Sequence, residues 1–210
     1  MRKLKLAMQV SVDGFTADVD GSVDWMVWNW TDPWSWDNAL RRHHTSLVTT
    51  SDCLLLSRKM VEEGFLAHWA GFANDASKPQ RSFAKPITEM RKLVFSDTLK
   101  ESRWSGVELV SGRALEKVAL LKAEAGKDIL VYGGPTWASS LAGADLIDEF
   151  HLFVNPTVLG AGRSMLKDLQ EASTLRLLGA RAHDCGVVVL TYAKTRRDRT
   201  TRHRGLGVRA

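Results

Sequence analysis

The sequence predicts an α/β protein with a mainly parallel central sheet covered on both faces and an antiparallel hairpin at its C-terminal end. Three observations carry this. The apolar runs "CLLL" and "DILVY" are continuous rather than alternating, as strands buried on both faces require. Segments with helical spacing separate those runs, the order that a parallel sheet with crossover helices produces. Near the end, "TLRLLGARAHDCGVVVLTYAKT" reads as two strands turning around Asp184 to Gly186.

The elements follow in order. "KLKLAMQVSV" (3–12) reads as a strand, buried after its first residues. "TDPWSWDNALRRHH" opens with Asp-Pro, a helix-start signature that makes Asp32 the N-cap and Pro33 the first turn. "DCLLLS" (52–57) is a strand, and "RKMVEEGFLAHW" continues it with helical character. "KPQRSFAKPITEM" contains Pro79 and Pro86, so helical turns with breaks are expected there. "RKLVFSDTL" and "GVELVSG" hold short strands. "RALEKVALLKAEAG" has apolar residues at helical spacing, with Gly126 as the expected C-cap. "KDILVYGG" is a strand, "PTWASSLAGA" a helix, and "LIDEFHLFVNPTVLG" a strand ending in Asn-Pro. No repeat or linker divides the chain, so one domain over 1–195 and a basic, solvated tail over 196–210 are expected.

Charge and cysteine usage narrow the partners. Of the 210 residues, 44% are hydrophobic and 25% charged, as in an ordinary soluble domain. The net charge is +5, but from Lys194 onward seven Lys or Arg stand against one Asp, a local +6. The body is therefore near −1, and its balance argues against nucleic-acid binding by the domain itself. No apolar run reaches the ~18 residues of a membrane span. Cys53 and Cys185 lie far apart without metal-ligand spacing, and no export signal is visible, so a reducing cytoplasm is expected. The histidines show no metal-ligand spacing either, so no metal is expected.

The chemistry centres on "DILVYGGPTW". Gly133 and Gly134 fall where a buried strand meets a helix, at the sheet edge where open α/β proteins bind ligands. A helix N-terminus there offers free N–H groups and partial positive charge to a phosphate. Pro135 at the first turn needs no hydrogen bond, and Thr136 adds a hydroxyl. Taken alone, the segment also reads as a tight turn with close helix–strand packing. No G-x-G-x-x-G follows the first strand and no P-loop motif occurs. Any dinucleotide must be held by another architecture.

Together, "QVSVDGFTADVDGSVDW", "LLLSRKMVEEGF…HW", "KLVFSDTL" and "DILVYGGPTWASSLAGADLIDEFHLFVNPTVLGAGRSML" occur in an order that resembles the dihydrofolate reductase-like family. The likeness is to its riboflavin-biosynthesis branch, the reductase (RibD C-terminal) domain, and runs from about residue 3 to 193. The resemblance implies a three-layer reductase fold and NADPH as coenzyme, with Gly133, Gly134, Pro135 and Thr136 along its pyrophosphate–nicotinamide side. It implies that Arg58 and Lys59, in "SRKM", and Ser96, in "SDTL", face the adenosine phosphates. Ser57 and Met60 depart from the family's glycine and threonine, and Asp97 from its arginine, which leaves NADPH over NADH a lean. Gly160 and Gly162 of "PTVLGAG" correspond to the loop beside the nicotinamide. Asp13, in "SVDG", matches an aspartate near the substrate and is the candidate proton donor, although Asp-Gly is equally a turn pair.

Five tryptophans crowd residues 25–36. Trp25 and Trp28 are candidate walls of a pocket for a flat heterocyclic substrate, with core or dimer-interface packing as the other reading. The resemblance thus implies an NADPH-dependent reductase of a small heterocycle, similar to 5-amino-6-(5-phosphoribosylamino)uracil reductase. The alternatives are a pteridine reductase of the dihydrofolate type and a non-catalytic nucleotide-binding protein whose Arg-rich tail engages a partner. Dimerisation through sheet edges, with the C-terminal hairpin as the surface, is a further implication.

Overall fold

A computed structural model describes residues 1–30, 33–167 and 169–195. Eight strands form one sheet in the order β4-β3-β2-β5-β1-β6-β8-β7. They are β1 (Leu4–Val10), β2 (Ser51–Ser57), β3 (Arg91–Phe95), β4 (Val107–Val110), β5 (Asp128–Tyr132), β6 (Glu149–Val154), β7 (Leu175–Ala182) and β8 (Val188–Lys194). The pairs from β4 through β6 are parallel, whereas β6–β8 and β8–β7 are antiparallel. The helices are α1 (Asn38–Thr49), α2 (Arg58–Glu62), α3 (Phe65–Asn74), α4 (Arg81–Glu89), α5 (Ala114–Ala123) and α6 (Pro135–Gly143). No helix among the described residues is long and apolar enough to cross a membrane.

Strand side chains alternate between faces, so a continuous apolar run must fill two cores. Leu54 and Leu56 of β2, with Leu130 and Tyr132 of β5, enter one core with α1, α3, α4 and Trp28, Trp34 and Trp36. Cys53, Leu55, Ile129 and Val131 enter the other, beneath Val118 and Leu121 of α5 and Ala138 and Leu141 of α6. The result is the expected three-layer, dihydrofolate reductase-like arrangement.

The amino end of the sheet is closed by ion pairs. Lys5 Nζ lies 2.7 Å from Asp128 and Lys122 Nζ 2.6 Å from Asp148, with Arg2 paired to Asp52 nearby. These pairs leave the carboxyl ends of β1, β2, β5 and β6 as the open edge.

Some sequence expectations shift at element ends. The first helix begins at Asn38, and its N-cap is Asp37, whose carboxylate accepts from the N–H groups of Ala39 and Leu40 at 2.8 and 2.9 Å. Asp32, the expected cap, lies outside the described residues, as does the 196–210 tail. Residues 33–37 carry no helix because Trp34 and Trp36 turn inward, 3% and 2% exposed, and helical spacing would not bury both. Gly64, at φ 96°, splits the helical segment after β2 into α2 and α3. Helix α5 ends on Glu124 rather than at Gly126.

Candidate active site

Strands β1 and β6 each run into a loop, and the two loops are zipped together. Thr16 N–H donates to Arg163 O at 2.8 Å, Arg163 N–H to Ala17 O at 2.9 Å, and Val12 N–H to Thr157 O at 2.8 Å. Gly162 belongs to this seam. At φ 153°, a Cβ there would stand 2.2 Å from the Ala17 carbonyl oxygen, so the close approach admits only glycine. Between the zipped loops, the sheet edge and helices α2, α3 and α6 lies a cavity of about 1070 Å³.

The glycine pair meets this cavity in two different ways. Neither residue has positive φ. A Cβ on Gly133 would contact Trp137 Cδ1 at 3.1 Å and Ser57 Cβ at 3.4 Å, so this glycine serves helix–strand packing. A Cβ on Gly134 would have nothing within 4 Å, and it would stand in the cavity. The close helix–strand packing reading therefore holds at Gly133, while Gly134 leaves the main chain open to the cavity. Gly134 is also the N-cap of α6, and no side chain caps that helix. The free N–H groups of its first turn, with Thr136 and Pro135, line the cavity. Lys59 lines it too, its ammonium 3.4 Å from Glu63.

Other expected residues stand outside the cavity wall. The guanidinium of Arg58 donates to Glu62 at 2.7 Å and to Thr98 Oγ1 at 2.5 Å, and Ser96 Oγ lies 3.3 Å from the same Thr98 hydroxyl. Arg58 and Ser96 are thus gathered at the adjoining ends of β2 and β3. Asp97 accepts the Gly112 N–H at 2.8 Å, so its carboxylate is already engaged. Gly160 donates its N–H to Asp13.

Asp13 is placed as a loop staple rather than as a proton donor. Its carboxylate accepts from Ser11 Oγ at 2.6 Å, Gly160 N–H at 2.7 Å and Leu159 N–H at 3.2 Å. The Ser11 hydrogen bond first, and the two amides after it, hold its pKa down at about 2. A carboxylate so held has no proton to give near neutral pH.

The tryptophan-rich segment divides as well. Trp25 does not line the cavity; its indole N–H donates to Ser22 O at 3.2 Å and its carbonyl accepts from Thr157 Oγ1. Trp28 does, as do Trp30 and Trp36. Trp30 takes φ 57°, an uncommon conformation for a bulky residue, and its ring lies 5.2 Å from that of Phe65.

Sequence reasoning missed two residues at the inner end. Tyr132, the last residue of β5, places its hydroxyl 3.1 Å from His44 Nε2. His44 reaches it from the face of α1 that carries Leu40, Leu47 and Val48, and its ring stacks on Phe83 at 4.2 Å. Burial, with His43 adding repulsion, holds the His44 pKa at about 3, while burial pushes the Tyr132 hydroxyl far above an ordinary phenol. Both side chains are neutral at physiological pH. Tyr132 could have been noted as the residue preceding the glycine pair; nothing local in "RRHHTS" distinguishes His44.

The fold and the cleft at the strand ends define a dihydrofolate reductase-like α/β protein. The chain matches the RibD C-terminal domain family over residues 2–189 and belongs to that family. It is 28% identical over 193 residues to the uncharacterized protein YyaP of Bacillus subtilis (strain 168), covering 91% of this chain and 94% of that one. Among solved structures it resembles a putative riboflavin biosynthesis protein from Shewanella sp. PV-4, with a TM-score of 0.67, 22% identity, and 92% and 99% of the two chains covered. It also resembles a diaminohydroxyphosphoribosylaminopyrimidine deaminase/5-amino-6-(5-phosphoribosylamino)uracil reductase from Thermotoga maritima, with a TM-score of 0.63 and 15% identity. There the match spans 92% of this chain but only 57% of the other.

Proposed function

We propose that the protein is an NADPH-dependent reductase of a small heterocyclic compound. The observation that carries this reading is the open main chain at Gly134 beside the uncapped N-terminus of α6, on the wall of a cavity large enough for two molecules side by side. Membership of the RibD C-terminal domain family supports it, as does the likeness to the Thermotoga maritima deaminase/reductase.

The residues fit the coenzyme. Gly134 leaves room for a flat or phosphate group against the backbone, and the first turn of α6 with Thr136 supplies donors for its phosphates. Lys59 adds a positive charge on the same wall. Arg58 and Ser96, joined through Thr98, are assigned to the adenosine side. NADPH would supply the hydride. The protein's own part is to align the two partners and to exclude water, which the aromatic inner wall does. Asp97 is bound to Gly112 and exposed, so it counts against a 2′-phosphate only weakly.

A dimer through the β7 edge is part of the same proposal. Leu177 and Leu178 on that edge are 52% and 43% exposed, and sedimentation of Leu178→Lys against the parent protein tests it. A reducing compartment suits the two free thiols, Cys53 and Cys185.

The experiment is a tryptophan-fluorescence titration with NADPH and NADH in parallel, followed by NADPH oxidation with pteridine, pyrimidine and quinone panels. Saturable quenching, tighter for NADPH, and steady oxidation with one panel are expected. Binding without turnover on any panel supports a non-catalytic nucleotide-binding protein instead.

A further inference from the structure

The two faces of the sheet at its β6–β8–β7 end are built differently. Directly opposed residues of an antiparallel pair share a face, so the strand register sorts them. On one side, Phe153 opposes Val189, and Val189 opposes Arg181. Helix α1 covers that side, its His43 ring 5.9 Å from Phe153, and β7 sends Arg176 and Arg181 to water beyond it. On the other side, Leu152 opposes Leu190, and Leu190 opposes Ala180. The flanking rows, Tyr192 against Leu177 and Val188 against Ala182, are uncharged too. The core beneath α5 and α6 stops short of this surface. Val188 and Leu190 are half-buried and pack against neither core, and Leu177 is 52% exposed.

An antiparallel sheet with one wet face ordinarily turns its apolar side chains inward and its polar ones outward. Strand β7 keeps that alternation but reverses its sense. Its arginines lie on the side that α1 covers, and Leu177, Ala180 and Ala182 lie on the bare side. The bare face therefore calls for a cover. Residues 196–210, which follow β8, do not supply it: six of them are arginine, and Leu206 and Val208 are the only large apolar ones. A charged partner would find no counter-charge on the face. A second copy brings the same neutral surface, and two twisted sheets stack face to face about 10 Å apart around a two-fold axis. Sheet extension suits β7 less, because the register shift between Leu177 and Gly179 interrupts its edge.

We infer that two copies of the chain associate by stacking these helix-free faces, with Leu190 near the centre of the contact. The inference rests on the dimer reading above and gives that dimer its contact surface, the face beside the β7 edge. Three strands about 4.8 Å apart and about seven residues long make a face of roughly 14 Å by 23 Å. That is small for a specific interface, so monomer and dimer should exchange over micromolar concentrations.

Sedimentation of the full chain between about 1 and about 100 μM, the range of a small interface, tests it. The parent protein should pass from monomer to dimer across that range. Leu190→Lys should raise the dissociation constant at least about tenfold, because it buries an unpaired charge in the contact. Ala180→Glu, at an exposed position of the outermost strand, should do the same and carries the test if Leu190→Lys does not fold. Arg181→Ala, on the same strand but the opposite face, should leave the constant within about twofold. A parent protein that stays monomeric throughout overturns the inference. So does a dimer that survives both Leu190→Lys and Ala180→Glu, which would return the contact to the strand edge. Association is read without coenzyme, so a protein that dimerises this way yet fails to bind NADPH removes the reductase reading alone.

Discussion

The side-chain oxygen of Asn155 accepts the main-chain N–H of Val27 at 2.8 Å, tying the end of β6 to the tryptophan-rich loop across 128 residues of sequence. Asn155 is fully buried, and its amide group donates to Gln9 Oε1 at 3.3 Å and Phe153 O at 3.2 Å. Gln9 in turn donates to Trp28 O at 3.0 Å. Two carboxamides at adjoining strand ends therefore fix the backbone on both sides of Val27, and with it the indole of Trp28.

Replacing Asn155 with Ala leaves the Val27 N–H buried and unpaired, which costs about 1–3 kcal/mol. The melting temperature should fall accordingly and the tryptophan emission should shift to the red as Trp28 loosens. Thermal unfolding and emission spectra check both; an unchanged spectrum would mean that the loop is held by packing alone.

Asp37→Ala should destabilise the protein by about 0.5–2 kcal/mol, the usual worth of a helix N-cap. Burial works against the charged form of Asp37, but hydrogen bonds from Leu40, His183 and Ala39 outweigh it and bring its pKa to about 2. A depressed carboxylate stabilises fully above its unfolded value near 3.8 and loses that contribution as pH falls through about 2. The variant and parent should therefore converge in stability at the acid end of a pH series, read by chemical denaturation.

The histidines set the earlier acid limb. Burial, and after it the positive groups around it, puts His43 at about 4, and burial puts His44 at about 3, both below the ordinary 6.5. The unfolded chain thus binds more protons between those values, so stability should decline steadily as pH drops below 6.5. His43→Gln should flatten that decline. An unaltered slope in urea midpoints between about pH 6 and about pH 4, inside the window where the unfolded histidine is protonated and the folded one is not, would contradict the assignment.

Asp13→Asn separates staple from proton donor. With the staple removed, amide exchange at Leu159 and Gly160 should accelerate, since both N–H groups donate to that carboxylate. Turnover should fall by less than about tenfold, because a group held at about 2 supplies no proton. Complete loss of turnover with unchanged exchange at both amides would restore the donor role.

Most of the fold was legible because its strands are buried on two faces, and "CLLL" and "ILVY" admit few other readings. Helix starts were less so. The Asp-Pro signature at 32–33 and the Asp-Asn pair at 37–38 are locally similar, and the burial of Trp34 and Trp36 decides between them. Gly134 was legible as an open glycine at a strand–helix junction, whereas the packing role of Gly133 depends on how Trp137 folds back and on Ser57 from another segment. The inner wall was the least legible part. Trp28, His44, Trp69, Phe83, Tyr132 and Phe153 come from separate segments, and each alone reads as ordinary core.

The most direct measurement is NADPH affinity in Gly134→Val. Gly134 has φ −70° and open space around its Cβ position, so valine fits there without strain, at a cost of about 1 kcal/mol as a poorer N-cap, while filling the place proposed for the coenzyme. The account predicts a folded variant with a modestly lower melting temperature and at least about tenfold weaker NADPH binding, roughly 1.4 kcal/mol or more. An unchanged dissociation constant in the folded variant would contradict it.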